Sequence, residues 1–178
     1  MDSHLARHYA RVRHLRESFA EANERLVARL RRVADDAAER RPVEGGWSAA
    51  QIGWHVARVS TTFAGLISGD VHGAHHLPGD FHPREWPAIA DAIPRRLTAA
   101  PAVEPPPLVR RMEAIAALEA SGLTMARALD AVTPERGERF GISHPVVGGT
   151  IDLYQVGEWA TAHVIRHNRQ ASRVLGEG

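Results

Sequence analysis

The sequence predicts an all-α fold, a four-helix bundle with a long crossover connection between the second and third helices. Three observations lead there. Apolar residues recur every three or four positions in four long stretches, the connections between them are rich in Gly and Pro, and no internal repeat or shift in composition divides the 178 residues. At 44% hydrophobic and 24% charged, a chain of this length can bury one substantial core. One domain spanning 1–178 is therefore expected.

The first helix is read from Leu5 to Arg40, a stretch without Gly or Pro. Tyr9, Val12, Leu15, Phe19, Ala22, Leu26, Leu30, Val33 and Ala37 form its apolar line, and arginines fill the opposite face. "RPVEGG" ends it. The second helix has a legible start: Ser48 and Gln51 make an S-x-x-Q capping box, and Trp47 and Ile52 stand where a hydrophobic staple needs them. Ile52, His55, Val59, Thr62 and Leu66 share one face.

Residues 68–107 hold "SGDVHGAHHLPGDFHPREWP" and "PAVEPPP", which read as a long connection with a short helix between Ala88 and Ala99, bent at Pro94. The third helix follows from Leu108 to Ala131, with Leu108, Met112, Ile115, Leu118, Gly122, Met125 and Leu129 inward. "TPERGERFGISHPVVGG" separates it from the fourth helix, for which Thr150 is the expected N-cap and Asp152 a first-turn acid that complements the helix dipole.

Composition narrows the function. The 22 basic residues are all arginine and nearly match 21 acidic ones, so a net charge of +1 offers no field for nucleic acid or anionic lipid. The absence of cysteine excludes disulfides, thiolate ligands and a cysteine nucleophile. No apolar run is long enough to span a membrane, and the first residues lack the apolar core of a signal peptide. A cytoplasmic protein with a small-molecule partner, binding neither nucleic acid nor membrane, is expected.

The histidines are the chemical signal. In the fourth helix Leu153, Val156, Ala160, His163, His167, Gln170 and Val174 keep steps of three and four, so two imidazoles occupy a line that should be buried. Four residues apart on one face, they can share one metal ion. His55 holds the same kind of inward position in the second helix. Each buried imidazole without a partner would cost about 1 to 3 kcal/mol, and a divalent ion removes that cost. A lone histidine on an apolar face is more often a satisfied core residue, and eleven histidines will produce chance pairs. His4 and His8 are accordingly read as exposed, His14 as solvated, and His144, before Pro145, as a turn residue. His72, His75, His76 and His82 could add a second site or an accessory ligand.

"HVIRH" places Val164 where a metalloprotease helix needs its glutamate, and no Glu-x-x-His pair suggests a di-iron carboxylate bundle. Three histidines without a further fixed ligand leave coordination positions open, as catalytic metal sites do. Gln51, Glu158, Gln170 and Asn168 are candidates to orient the imidazoles or a substrate, and Arg58, Arg166 and Arg169 to bind its carboxylates. Each also has an ordinary reading as a capping or surface residue.

"GGWSAAQIGWHVARV" and, about a hundred residues on, "HPVVGGTIDLYQVGEWATAHVIRHNRQASRVL" together resemble the DinB-like, YfiT-like superfamily of metal-binding four-helix bundles. In that family one histidine follows a Trp-Ser cap in the second helix, and two come from an H-x-x-x-H in the fourth. The resemblance implies a metal triad of His55, His163 and His167, a zinc, nickel or similar divalent ion, and a homodimer. Members with assigned chemistry depend on thiols: transferases of bacillithiol or mycothiol, and a mycothiol-dependent maleylpyruvate isomerase. Three functions stay open. They are an S-transferase using a low-molecular-weight thiol, a hydrolase using metal-activated water, and a non-enzymatic metal- or small-molecule-binding stress protein.

Overall fold

A computed structural model of the chain describes residues 3–87, 99–144, 146 and 148–177. It is 67% helix, with six helices and one small sheet among these residues. The short helix expected between Ala88 and Ala99 lies outside the described residues, apart from Ala99 itself.

The long helix α1 (Ser3–Arg32) buries Val12, Leu15, Phe19, Ala22, Leu26 and Leu30 along one line and ends on Arg29, Arg31 and Arg32, which oppose the negative pole of its dipole. Tyr9 departs from that line and is exposed. The helix does not continue to Arg40. It stops at Arg32, and α2 (Asp35–Glu39) turns away to bury Ala38 completely. Val33 and Ala37 carry the apolar period across this break, which is why the sequence reads as one helix. The turn brings Glu39 to the start of the third long helix, where its carboxylate accepts the backbone N–H of Arg111 at 3.0 Å and an Arg110 guanidinium N–H at 2.8 Å. These bonds hold Glu39 below the usual carboxylate range.

The other long helices are α3 (Ala49–Ser68), α4 (Arg111–Asp130) and, after the short α5 (Pro134–Arg139), α6 (Leu153–Val174). Their contacts fix their directions. Asn23 of α1 donates to the Leu118 carbonyl and Arg16 pairs with Asp130, so α1 and α4 are antiparallel. His8 meets Tyr154 and Arg29 meets Asn168, so α1 and α6 run the same way. A Cβ on Gly53 would stand 2.9 Å from Leu30 and 3.3 Å from both Ala114 and Leu118; the early turns of α3 and α4 therefore lie side by side, and these helices are parallel. The bundle is up-down-down-up, with α1 and α3 each packed on both α4 and α6. Parallel neighbours cannot be joined by a short loop, and this is the physical reason for the connection over 69–110.

Two details of α4 differ from the sequence reading. It begins at Arg111 rather than Leu108, and Leu108 and Met112 are exposed, while Val109, Ala114 and Ser121 are buried beside Ile115, Leu118, Met125 and Leu129. In α3, Thr62 is exposed and the buried face instead runs through Val56, Ala57, Ser60, Ala64 and Ile67.

The stretch read as a loop before the fourth helix holds structure. After α5, strand β2 (Phe140–His144) pairs antiparallel with β3 (Gly149–Asp152), Ile142 opposite Ile151, and with the short β1 (His75–His76) on its other edge. Gly148, at φ 66°, permits the turn between β2 and β3. Arg136 of α5 donates to the Ile67 carbonyl at 3.0 Å, tying the helix that leads into β2 to the end of α3. The N-cap of α6 is Asp152, whose carboxylate accepts from Gln155 N–H at 2.6 Å; Thr150 lies in β3. No helix among the described residues is long and apolar enough to cross a membrane.

Candidate metal centre

The capping box sets where α3 begins. Ser48 Oγ accepts the Gln51 backbone N–H at 3.2 Å, and Gln51 Oε1 accepts that of Ser48 at 3.0 Å. One turn further on, His55 faces the bundle interior beside Trp47, with ring centres 4.7 Å apart. Across the antiparallel interface, α6 presents His163 and His167 from successive turns. The three imidazole centres form a close triangle of 5.2 Å (His55 to His163), 4.9 Å (His55 to His167) and 4.4 Å (His163 to His167). One nitrogen from each ring lies within 4.8 Å of the other two.

The hydrogen bonds orient these rings. His55 Nδ1 donates to the Val103 carbonyl at 2.8 Å, which places its proton on Nδ1 and its lone pair on Nε2. His167 Nδ1 does the same toward Gln170 Oε1 at 2.8 Å. Outward Nδ1–H bonds to a carbonyl or amide oxygen are the usual support of metal-ligating histidines. His163 Nδ1 is buried without a hydrogen-bond partner. Part of the residue reaches the surface, but its nitrogen does not.

All three rings are held neutral. Burial lowers the His55 pKa, against an opposing contribution from the Val103 bond. Burial first, then the neighbouring His167 and His55 and the Arg166 charge, drive His163 well below its ordinary value. His167 is lowered to about 4, chiefly by burial. Three imidazoles with a nitrogen of each within 4.8 Å of the other two, one ring also carrying a buried nitrogen without a hydrogen-bond partner, are a donor set that suits a borderline divalent cation. The residues fit the ion that the sequence suggested.

Of the surrounding residues named from sequence, Gln170 touches a triad imidazole, as described. The Gln51 amide bonds elsewhere: its Nε2 donates to the carbonyls of Pro106 and Pro107, at 2.7 and 3.1 Å. It also lines a concavity of about 380 Å³ together with Trp47, Arg41, Pro101 and Glu104. Glu158 accepts from Arg11 at 3.1 Å and from the Trp86 indole at 2.7 Å, so it anchors the crossover connection instead. Asn168 is bonded to Arg29. Arg166 and Arg169 are exposed, as is Arg58, which lies over the Trp54 ring. His72, His75, His76 and His82 are not buried, and no second group of three ligand atoms occurs among the described residues.

Two histidines depart from expectation. His8 is buried and bonded to the Tyr154 hydroxyl at 2.7 Å; its partner, 146 positions away, leaves no local trace in the sequence. His144 is the last residue of β2, 6% exposed, with its ring 4.4 Å from that of Trp159 and 6.2 Å from that of Phe63. Burial lowers its pKa to about 4. The alternation in "FGISH" was the available signal.

A helical bundle that gathers three imidazoles from two antiparallel helices defines a class of metal-site scaffold. The family model of the DinB superfamily matches residues 18–171, and the chain belongs to that superfamily. No curated protein matches the sequence.

Proposed function

We propose that the protein is a divalent-metal-dependent S-transferase in which His55, His163 and His167 hold a zinc or nickel ion, and which joins a low-molecular-weight thiol to an electrophilic carbon. The observation that carries the proposal is the convergence of the three neutral imidazoles with no carboxylate or further histidine in the group among the described residues. Three protein ligands leave room for substrate. A bound ion would supply the charge that keeps a substrate thiol in its thiolate form near neutral pH.

The chain's own residues do the rest. His55 and His167 are turned to the centre by Val103 and Gln170, so the ligand set is organised before substrate arrives. Arg166 places a cationic side chain beside His163 and His167, where it favours an anionic substrate. The protein has no cysteine, so the sulfur must come from a cosubstrate. In the reaction the thiolate sulfur bonds to carbon, the leaving group departs with its bonding electrons, and the thiol proton goes to solvent.

The test supplies metal-loaded protein with an alkyl halide and a panel of low-molecular-weight thiols, and measures conjugate and halide release. Thiol-dependent conjugate formation that disappears in His163→Ala is expected. Halide release at the same rate without thiol, yielding the alcohol, would replace transfer with hydrolysis. No turnover with any thiol, from protein that holds its ion, would favour a binding role.

A further inference from the structure

Gln51 and His55 stand four residues apart on α3 and reach the same stretch of the crossover connection. Gln51 Nε2 grips the carbonyls of Pro106 and Pro107, and His55 Nδ1 donates to that of Val103. The stretch is suited to transmit a constraint from one to the other. Pro101, Pro105, Pro106 and Pro107 fix their own φ angles and bring no N–H groups, and residues 101–103 form a 3₁₀ turn closed by Glu104 N–H on the Pro101 carbonyl. Pro105 is buried, and Val109 is 1% exposed. Both polar ends of the Gln51 amide are occupied, since Oε1 accepts the Ser48 N–H. The bond from His55 is the one that decides which imidazole nitrogen carries the proton.

We infer that Gln51 is a positioning residue for the metal centre: by clasping Pro106 and Pro107 it sets the Val103 carbonyl, which presents His55 Nε2 to the ion. The inference rests on the reading of His55, His163 and His167 as ligands. It assigns Gln51 an effect on metal affinity although its amide hydrogen-bonds to Ser48, Pro106 and Pro107 and to none of the three imidazoles. Disturbing groups that orient a ligand costs roughly 10- to 100-fold in affinity, and Gln51, one link further out, is expected near 10-fold.

Gln51→Glu keeps an oxygen for the Ser48 N–H and replaces the donor facing two carbonyls with an acceptor. Ser48→Ala serves as the control, because it weakens the same helix start and leaves the Gln51 amide in place. Co²⁺ affinity, read from the visible spectrum under chelator competition, should fall about 10-fold in Gln51→Glu and stay within about 2-fold in Ser48→Ala. Equal losses in the two variants, or wild-type affinity in Gln51→Glu, would overturn the inference.

A second readout needs no metal. Long-range ¹⁵N–¹H spectra of the chelated protein should show His55 as the Nδ1–H tautomer in wild type and as a mixture in Gln51→Glu; an unchanged tautomer would also overturn it. If Gln51→Glu does not fold, the exposed Pro106→Gly slackens the same stretch and should lower Co²⁺ affinity in the same direction; wild-type affinity in that variant would count against the inference. Wild-type protein that binds no Co²⁺ through its histidines would refute the metal centre itself, and the tautomer comparison would still decide the role of Gln51.

Discussion

Burying neutral histidines makes the metal-free protein sensitive to acid, and His144 allows the size of the effect to be worked out. Its pKa falls from 6.5 to about 4 through loss of solvation. Between those values the unfolded chain binds a proton that the folded chain refuses, so the unfolded state gains as pH drops. The histidine has no effect on stability well above pH 6.5, and its destabilising effect grows as pH falls toward about 4. At pH 5 the difference amounts to about 2 kcal/mol for one such residue. His167, lowered to a similar value, should add about as much again. Together they approach the total stability of a marginal domain.

The informative perturbation is His144→Phe, an aromatic replacement beside Trp159 and Phe63. The assay is urea unfolding of metal-free protein at pH 7.5 and at pH 5. Whatever the substitution changes in packing or hydrogen bonding is present at both values and cancels in the comparison. The variant should gain about 2 kcal/mol on wild type between pH 7.5 and pH 5. Parallel stability profiles would show that His144 is protonated in the folded state and refute the reasoning.

Three further outcomes are expected. Ser48→Ala, which removes the Oγ acceptor at the start of α3, should cost about 1 kcal/mol in urea unfolding at neutral pH; a neutral result would mean that Gln51 N–H finds water at no cost. Gly137→Ala places a Cβ against the Tyr154 ring, which is held by His8 and by Arg11 above its face, so a loss of roughly 1 to 3 kcal/mol is expected, and an unchanged melting temperature would show that the ring can move. Chelation should leave far-ultraviolet circular dichroism nearly unchanged, because Leu26, Leu30, Ile52, Leu118, Met125 and Val156 form a core without metal; collapse of the helical signal would assign the ion a structural role.

The triad was legible because its residues obey local rules. His163 and His167 sit on an uninterrupted apolar line, and the Ser48 capping box marks the helix start from which His55 can be counted onto the inward face. The up-down-down-up order was legible only as a long connection, since the contacts that establish direction, such as Asn23 with Leu118 and Gly53 with Leu30, join distant parts of the chain. The break after Arg32 was hidden because Val33 and Ala37 keep the helical period; the paired acids Asp35 and Asp36 were its one local mark. Leu108 and Met112 extend the period of α4 backward past the point where the helix begins, and periodicity alone cannot say where burial stops. Strands β2 and β3 are too short to stand out beside the glycines and Pro145. What surrounds the triad was least visible: apart from the local Gln51–Ser48 cap, Gln51, Glu158 and Asn168 bond to partners from 55 to 147 positions away.

Co²⁺ titration of the metal-free chain, wild type against His163→Ala, bears most directly on the central claim. One ion per wild-type chain, with the intense visible absorption of a low-coordinate histidine site, and no such ion in His163→Ala is the predicted result. Full occupancy in that variant, or a wild-type protein that takes up no ion at its histidines, would contradict the assignment of His55, His163 and His167 as a metal centre.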